Sequence, residues 1–208
     1  MTADGASRYD WQVPAAPTRT FRRSILRGYI SELERLGVKG EIHDRVPPEV
    51  ALLLEQPQEA PSWVPALVLD EILIALVALR GRQAARELGY RLMKGGRLEA
   101  VFAPIISVAL NFLGGSPAAL LSRAQTMASV ISQGIQLRWQ RTSDNTGVIL
   151  ICTEEPMPDS SWAAWEGAFV YTFELTGTSG EVTPSRPAPD PRCGETLISW
   201  KAIAPPTG

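Results

Sequence analysis

Chemistry needs reactive side chains brought together, and this chain offers few of them. It has one histidine, His43, and two cysteines, Cys152 and Cys193, in 208 residues. His43 lies in GVKGEIHDRV, a loop-like stretch where an imidazole reads as a solvated side chain. The cysteines fit no metal or redox spacing and read as free thiols in a reducing compartment. Cys152, in VILIC, reads as a small buried hydrophobe on a strand, and Cys193 alone makes a poor metal site. GGSPA, around Ser116, imitates a nucleophile elbow, but that elbow needs a strand before the serine. Here a helical pattern precedes it, and Ser116 followed by Pro117 is the start signal of a helix. A single histidine leaves no Ser-His-Asp set, and there is no phosphate loop or His-Glu-x-x-His. No enzymatic activity is expected, and no catalytic residue, metal or cofactor is assigned.

Three other groupings could recognise something without reacting with it. Asp70 and Glu71 interrupt the apolar run VPALVLDEILIALVAL. Either one faces the core and needs a partner, or both lie on the helix's single solvent stripe, which is the preferred reading. Arg19, Arg22, Arg23 and Arg27 cluster where the first helix begins and form a candidate polar partner patch. Such clusters are more often solvated faces, and without interleaved aromatics this one does not point to nucleic acid. Trp139, Trp162, Trp165, Phe169 and Trp200 are candidates for lining a pocket or an interaction surface; the plainer reading is that they fill the core.

The elements that position these residues follow from periodicity. From Thr20, Phe21, Ile25, Tyr29, Leu33 and Leu36 recur at helical steps up to Gly37. PPEVALLLEQ reads as a short helix with proline in its first turn. Helices follow in VPALVLDEILIALVALR, RQAARELGYRLMKGG, RLEAVFAPIISVALNFLGG and SPAALLSRAQTMASVISQG. Pro104 either kinks the third of these or marks its start. After Gly134, IQLRWQRT alternates as a half-buried strand, SDNTG turns, and VILICTEE returns. GEVTPSRP and TLISWKAI supply two more strands. Between the pairs, DSSWAAWEGAFVYTFELTG reads two ways. A helix puts Trp162, Trp165, Phe169 and Phe173 on one face; a strand puts Phe169, Tyr171, Phe173 and Leu175 there.

Helices followed by strands predict an α+β fold, with a layer of about six helices before a small antiparallel sheet of about four strands. The ambiguous segment, if helical, is inserted between strands 2 and 3. Residues 1–18 read as a polar tail, 19–204 as one domain and 205–208 as a second tail. The net charge of −2 does not favour nucleic acid or anionic membrane. No run is long and apolar enough for a membrane span, and no signal-peptide pattern opens the chain. A cytoplasmic protein is expected.

The run PMPDSSWAAWEGAFVYTFELTGTSGEVTPSRPAPDPRCGETLISWKA resembles the ending of one domain superfamily. That superfamily unites haem nitric-oxide-binding domains, trafficking-complex (TRAPP) subunits and vinyl-reductase-type ligand domains. Within it the chain is most similar to a family abundant in myxobacteria, through YISELERLGVKGE, VPALVLDEILIALVALRGRQAARELGYRLMKG and FLGGSPAALLSRA. The resemblance implies that Ser160 to about Thr176 is a helix, with Gly167 and Ala168 as small residues near its middle; the residues agree, since Asp159 or Ser160 can cap it and the Trp162, Trp165, Phe169, Phe173 face is continuous over three turns. It also sets a test for haem. Haem members hold iron with a helix histidine and grip the propionates with Tyr-x-Ser-x-Arg; APIISVALNFLGG has no histidine and the chain has no such motif. The acylated cysteine of the trafficking subunits falls early in their fold, whereas both cysteines here fall late.

Three functional classes follow. The first is a non-enzymatic regulatory or interaction module, working as a homodimer or docking on a partner protein. The second is a sensor domain binding an apolar small molecule between helices and sheet. An enzyme comes last.

Overall fold

The computed structural model describes residues 19–94, 97–112, 115–188, 190 and 192–202. The expected tails, residues 1–18 and 205–208, lie outside the described residues. The chain opens with β1 (Thr20–Arg22), which leads directly into α1 (Arg23–Arg35). The short α2 (Lys39–His43) and α3 (Pro48–Glu55) follow, then β2 (Trp63–Pro65), α4 (Ala66–Arg80), α5 (Arg82–Lys94) and α6 (Arg97–Phe112). Next come α7 (Pro117–Leu121), α8 (Ala124–Ile131), β3 (Ser132–Gln133), β4 (Ile135–Arg141) and β5 (Thr146–Thr153). The long α9 (Asp159–Thr176) precedes β6 (Thr178–Val182), β7 (Arg186–Pro187) and β8 (Cys193–Ala202).

This is an α+β fold with antiparallel sheets. The larger sheet runs β4-β5-β8-β6, with β7 also pairing β8, and α9 lies between its second and third strands in chain order. The helical half is richer than expected, because α2 occupies the predicted loop and the helix beginning at Pro117 divides into α7 and α8. Strands β1, β2 and β3 form a small second sheet that periodicity did not show. Phe21 belongs to it and not to α1: Arg22 is extended (φ −60°, ψ 142°), and Phe21 pairs with Val64 and Ser132.

Among the described residues, two large apolar cores stand beside a small third cluster of Leu150, Cys152 and Cys193. One joins α1 to α6, with Leu26, Leu33, Ile42, Leu54, Ile72, Leu76 and Leu88 at 0% exposure. Each such side chain contributes roughly 1.5–3 kcal/mol on burial. The other lies between α7, α8, α9 and the sheet, around Ile149, Ile151, Phe169, Phe173, Ile198 and Trp200. Pro104 sits inside α6, and Ser116 caps α7 by accepting a hydrogen bond from the Ala119 amide at 3.3 Å.

The ambiguous segment is helix α9. Its Trp162, Trp165, Phe169 and Phe173 face joins the second core. The predicted cap is corrected: no side chain caps α9, because Asp159 accepts a bond from Arg82 and the Ser160 hydroxyl is buried without a partner among the described residues. Gly177 ends the helix in the left-handed conformation (φ 58°). Helix α9 packs intimately on α5. A Cβ on Gly167 would strike the Arg86 carbonyl, and one on Gly89 the Ala164 carbonyl.

The reading of two free thiols is overturned. Cys152 and Cys193 form a disulfide across β5 and β8, where they stand directly opposite each other, with Cα atoms 4.2 Å apart. The Cys193 amide bonds to Asp190 and not across the ladder, so this is the close, non-hydrogen-bonded kind of pair. The ground for expecting a reducing compartment falls away with the thiols. Among the described residues, no helix is long and apolar enough to cross a membrane.

Candidate functional site

Two adjoining cavities open where α9 meets the helical half. One is lined by Arg19, Tyr29, Asp70, Ser161 and Trp165, among mainly apolar neighbours, and holds about 60 Å³. The other, also about 60 Å³, is lined by Phe102, Leu120, Leu137, Trp165 and Phe169 among others. They share Met93, Ile131, Trp165 and Ala168, so the wall between them is side chain. That wall is soft: methionine has three rotatable bonds and adapts to its surroundings.

The only strongly polar point of the first cavity is built from three separate elements. Arg19 is fixed by its backbone, since its carbonyl accepts a bond from the Ala66 amide at the start of α4. Its guanidinium donates to Asp70 Oδ2 at 2.6 Å, and Ser161 Oγ, from α9, donates to Asp70 Oδ1 at 2.6 Å. Arg19 and Asp70 are only 7% and 5% exposed. A pair buried this deeply is weak evidence for stability, because desolvation offsets its attraction. Arg19 Nε has no partner among the described residues. Tyr29 stands nearby, and its phenol is pushed well above the ordinary tyrosine range, first by burial and then by the Asp70 carboxylate. It therefore stays a neutral O–H donor.

These facts correct two expectations. Asp70 does not share a solvent stripe with Glu71; it faces the core with Arg19 as its partner. The spacing held the signal: Asp70 falls four residues after Ala66 and three before Leu73, both buried, whereas Glu71 shares its stripe with exposed Leu67 and Ile74. Nor is Arg19 part of a solvated arginine patch. Arg22 stacks over Trp63 (5.0 Å) and donates to the Val130 carbonyl, and Arg23 donates to the Gln58 and Ala60 carbonyls. Arg27, on α1, is half-buried.

The aromatic candidates separate. Trp165 and Phe169, with ring centroids 6.0 Å apart, line the cavities. Trp139 and Trp200 pack together on the sheet at 6.3 Å, and Trp162 covers Gly194 of β8. His43 lies at the end of α2, where Nε2 meets Glu55 at 2.9 Å, and does not line either cavity.

The opposite side of α9 is locked. Glu166, at 0% exposure, receives both terminal nitrogens of Arg82 at 2.7 and 2.8 Å and the Ser185 amide at 2.7 Å. Arg82 also donates to Asp159, and its hydrogen bonds, above all to Glu166, hold it still more firmly protonated. A wider recess of about 390 Å³ on this side touches Arg86, Glu87, Tyr90 and Glu174. Its charged groups have partners: Tyr90 and Lys94 donate to Glu174, Arg91 to Glu87, and Arg86 to the Val182 carbonyl.

No family model and no curated protein matches the chain in sequence. Solved structures do share its fold. An Fe(II) unliganded H-NOX protein from K. algicida superposes with a TM-score of 0.64 at 11% identity, over 88% of this chain and 98% of that one. A structure concerned with heme distortion in the H-NOX family gives 0.59 at 13% identity, over 90% and 97%. A T. tengcongensis H-NOX variant gives 0.58 at 12%, over 88% and 99%. The chain therefore has an H-NOX-like fold.

The heme with which the second of these structures is concerned does not fit the residues present. Neither cavity is lined by histidine or cysteine, and each has room for only a few heavy atoms. Trp165, Ala168 and Phe169 line the second cavity and leave it only about 60 Å³, too little for a large flat ring.

Proposed function

We propose that the chain is a non-enzymatic sensor domain whose ligand is a small apolar molecule, and not haem, held between the helical half and α9. The observation that carries this reading is the pair of apolar cavities meeting at Met93, Ile131, Trp165 and Ala168. Sites of this kind are apolar with a few placed polar groups, and here the polar groups sit at one end. The likeness of fold to a structure concerned with heme in the H-NOX family supports a ligand-binding role.

Helix α9 is the element an occupant would move. One side of it walls both cavities; the other is tied to α5 through Glu166 and Gly167 and to the β6–β7 connection through the Ser185 amide. A ligand shifts such a helix only by as much as it binds one position better than another. A docking role is the second reading. It rests on exposed apolar pairs seven residues apart, Leu67 and Ile74 on α4 and Val101 and Val108 on α6.

Native mass spectrometry of freshly purified protein tests the proposal. The expected result is an adduct of small-molecule mass, lost on denaturation, together with no stoichiometric Soret band after titration with hemin. Stoichiometric haem uptake would overturn it. So would the absence of any adduct combined with no thermal stabilisation by small apolar compounds.

A further inference from the structure

Arg19 Nε and the Tyr29 hydroxyl are donors without an acceptor among the described residues. Arg19 is buried, lines the first cavity, and leaves Nε–H unbonded among the described residues. Tyr29 lines the same cavity, and its hydroxyl makes no hydrogen bond among the described residues. Buried polar groups are nearly always satisfied, so the unbonded Arg19 Nε calls for a missing partner, and the Tyr29 hydroxyl on the same cavity wall stands ready as a second donor. The partner both ask for is an acceptor, since Arg19 has no acceptor to offer and the Tyr29 hydroxyl is free to donate.

Charge narrows the class. The guanidinium of Arg19 is already neutralised by Asp70, whose other oxygen takes the Ser161 hydroxyl. The polar end of the cavity thus has no net charge to offer a carboxylate, and an anion there would lie beside Asp70 with its hydration lost. The remaining wall, with Phe21, Ile25, Leu69, Leu73 and Leu92, is apolar. A pure hydrocarbon fits that wall but leaves both donors unsatisfied.

We infer that the cavity selects a neutral, oxygen-bearing apolar molecule of a few carbons, such as a ketone, aldehyde or alcohol, over a hydrocarbon or a carboxylate of the same size. Its oxygen accepts from Arg19 Nε and Tyr29 Oη while its carbons face the leucines and Met93. This rests on the sensor reading above and adds to it the identity of the head group. A ligand longer than the first cavity reaches the second by displacing Met93 or Trp165, which line both.

The test compares 2-pentanone, pentane and butanoate by NMR titration of the full chain and of Tyr29→Phe. That variant removes a hydroxyl with no partner among the described residues, and an unchanged melting temperature verifies its fold. One hydrogen bond to a buried donor predicts that 2-pentanone binds about tenfold more tightly than pentane. Butanoate should bind more weakly than either. In Tyr29→Phe the preference for the ketone should shrink to about threefold or less, with pentane affinity unchanged. Equal binding of pentane and 2-pentanone overturns the inference and leaves the sensor reading standing, as does tighter binding of butanoate. An unaltered ketone preference in Tyr29→Phe removes Tyr29 from the site. Binding of none of the three overturns both readings.

Discussion

Gly167→Ala sets two well-understood effects against each other. Within a helix, alanine is favoured over glycine by about 1 kcal/mol, because glycine loses more backbone freedom on folding. Taken alone, that predicts a more stable protein. Packing predicts the reverse. The new Cβ falls inside 3.0 Å of the Arg86 carbonyl, a backbone group that cannot rotate away, so α5 and α9 must part. Overpacking typically costs 1–3 kcal/mol, and more where the obstacle is backbone. The expected net loss is about 1–2 kcal/mol, or a melting temperature lower by about 2–8 °C for a chain of this length. Gly40→Ala is the control. Gly40 is exposed on α2 with nothing near its Cβ position, so only propensity acts and stability should rise by a few tenths to about 1 kcal/mol. Gly89→Ala should resemble Gly167→Ala. The double variant should lose less than the sum, because one separation of the helices relieves both clashes. Thermal and urea denaturation followed by tryptophan fluorescence measures all four. If Gly167→Ala raises the melting temperature as Gly40→Ala does, the intimate α5–α9 crossing is refuted, and with it the placement of Trp165 over the cavities.

Other expectations test single features. The disulfide closes a loop with a sequence separation of 41, for which loop entropy gives about 4 kcal/mol. Cys152→Ser with Cys193→Ser should therefore lower the melting temperature by about 8–16 °C, and two titratable thiols in the native, unreduced protein would refute the pairing. Glu166→Gln should cost about 2 kcal/mol by chemical denaturation, since Arg82 keeps Asp159 but loses its bidentate partner. Because the phenol of Tyr29 is raised above its ordinary 10.0, its contribution is whole below pH 10 and falls above that. Absorbance titration at alkaline pH should accordingly leave one tyrosine un-ionised until the protein unfolds. Asp190 is lowered from 3.8 to about 2 by its bonds to Arg192, so that contact holds above pH 3.8 and is lost as pH falls through about 2. An NMR titration with an ordinary midpoint for Asp190 would refute it.

What the sequence displayed was local. The helices α3 to α6 and the strands β4, β5 and β8 follow their periodicity, because each places a one-sided apolar pattern against a core. The small sheet was hidden, because three short strands acquire their pairing only from residues far along the chain: Phe21 pairs with Val64 and Ser132. The disulfide was hidden for the same reason, since only the β5–β8 register brings Cys152 to Cys193. Segment 167–176 is a case of tertiary context overriding propensity. Phe169, Val170, Tyr171 and Thr172 favour a strand, but Gly167 lets α9 sit directly on α5, and the burial of its aromatic face decides for helix. Of the candidate site, Trp165 and Phe169 were visible as aromatics. Arg19 was visible only as one of an arginine cluster, and its buried pairing with Asp70 was not, because its charge suggested solvent. Asp70 could have been found from its place on the buried stripe of α4.

The fold and the site carry different information. A shared architecture at 11–13% identity fixes where helices and strands lie, not what lies between them. In this chain the space between helices and sheet holds indole, phenyl and thioether side chains, and its one polar corner is a neutral Arg19–Asp70–Ser161 network. Keeping that network is costly unless it does something an apolar substitute could not. Stability alone does not account for it, because it leaves Arg19 Nε unpaired. The network joins the chain before β1, α4 and α9 at the cavity wall, so on the proposed sensor reading an acceptor bound there would add a bond at the junction of these elements. The polar corner is thus where occupancy of the cavity would first be felt by α9, through Ser161, eight residues before Phe169 on the same helix.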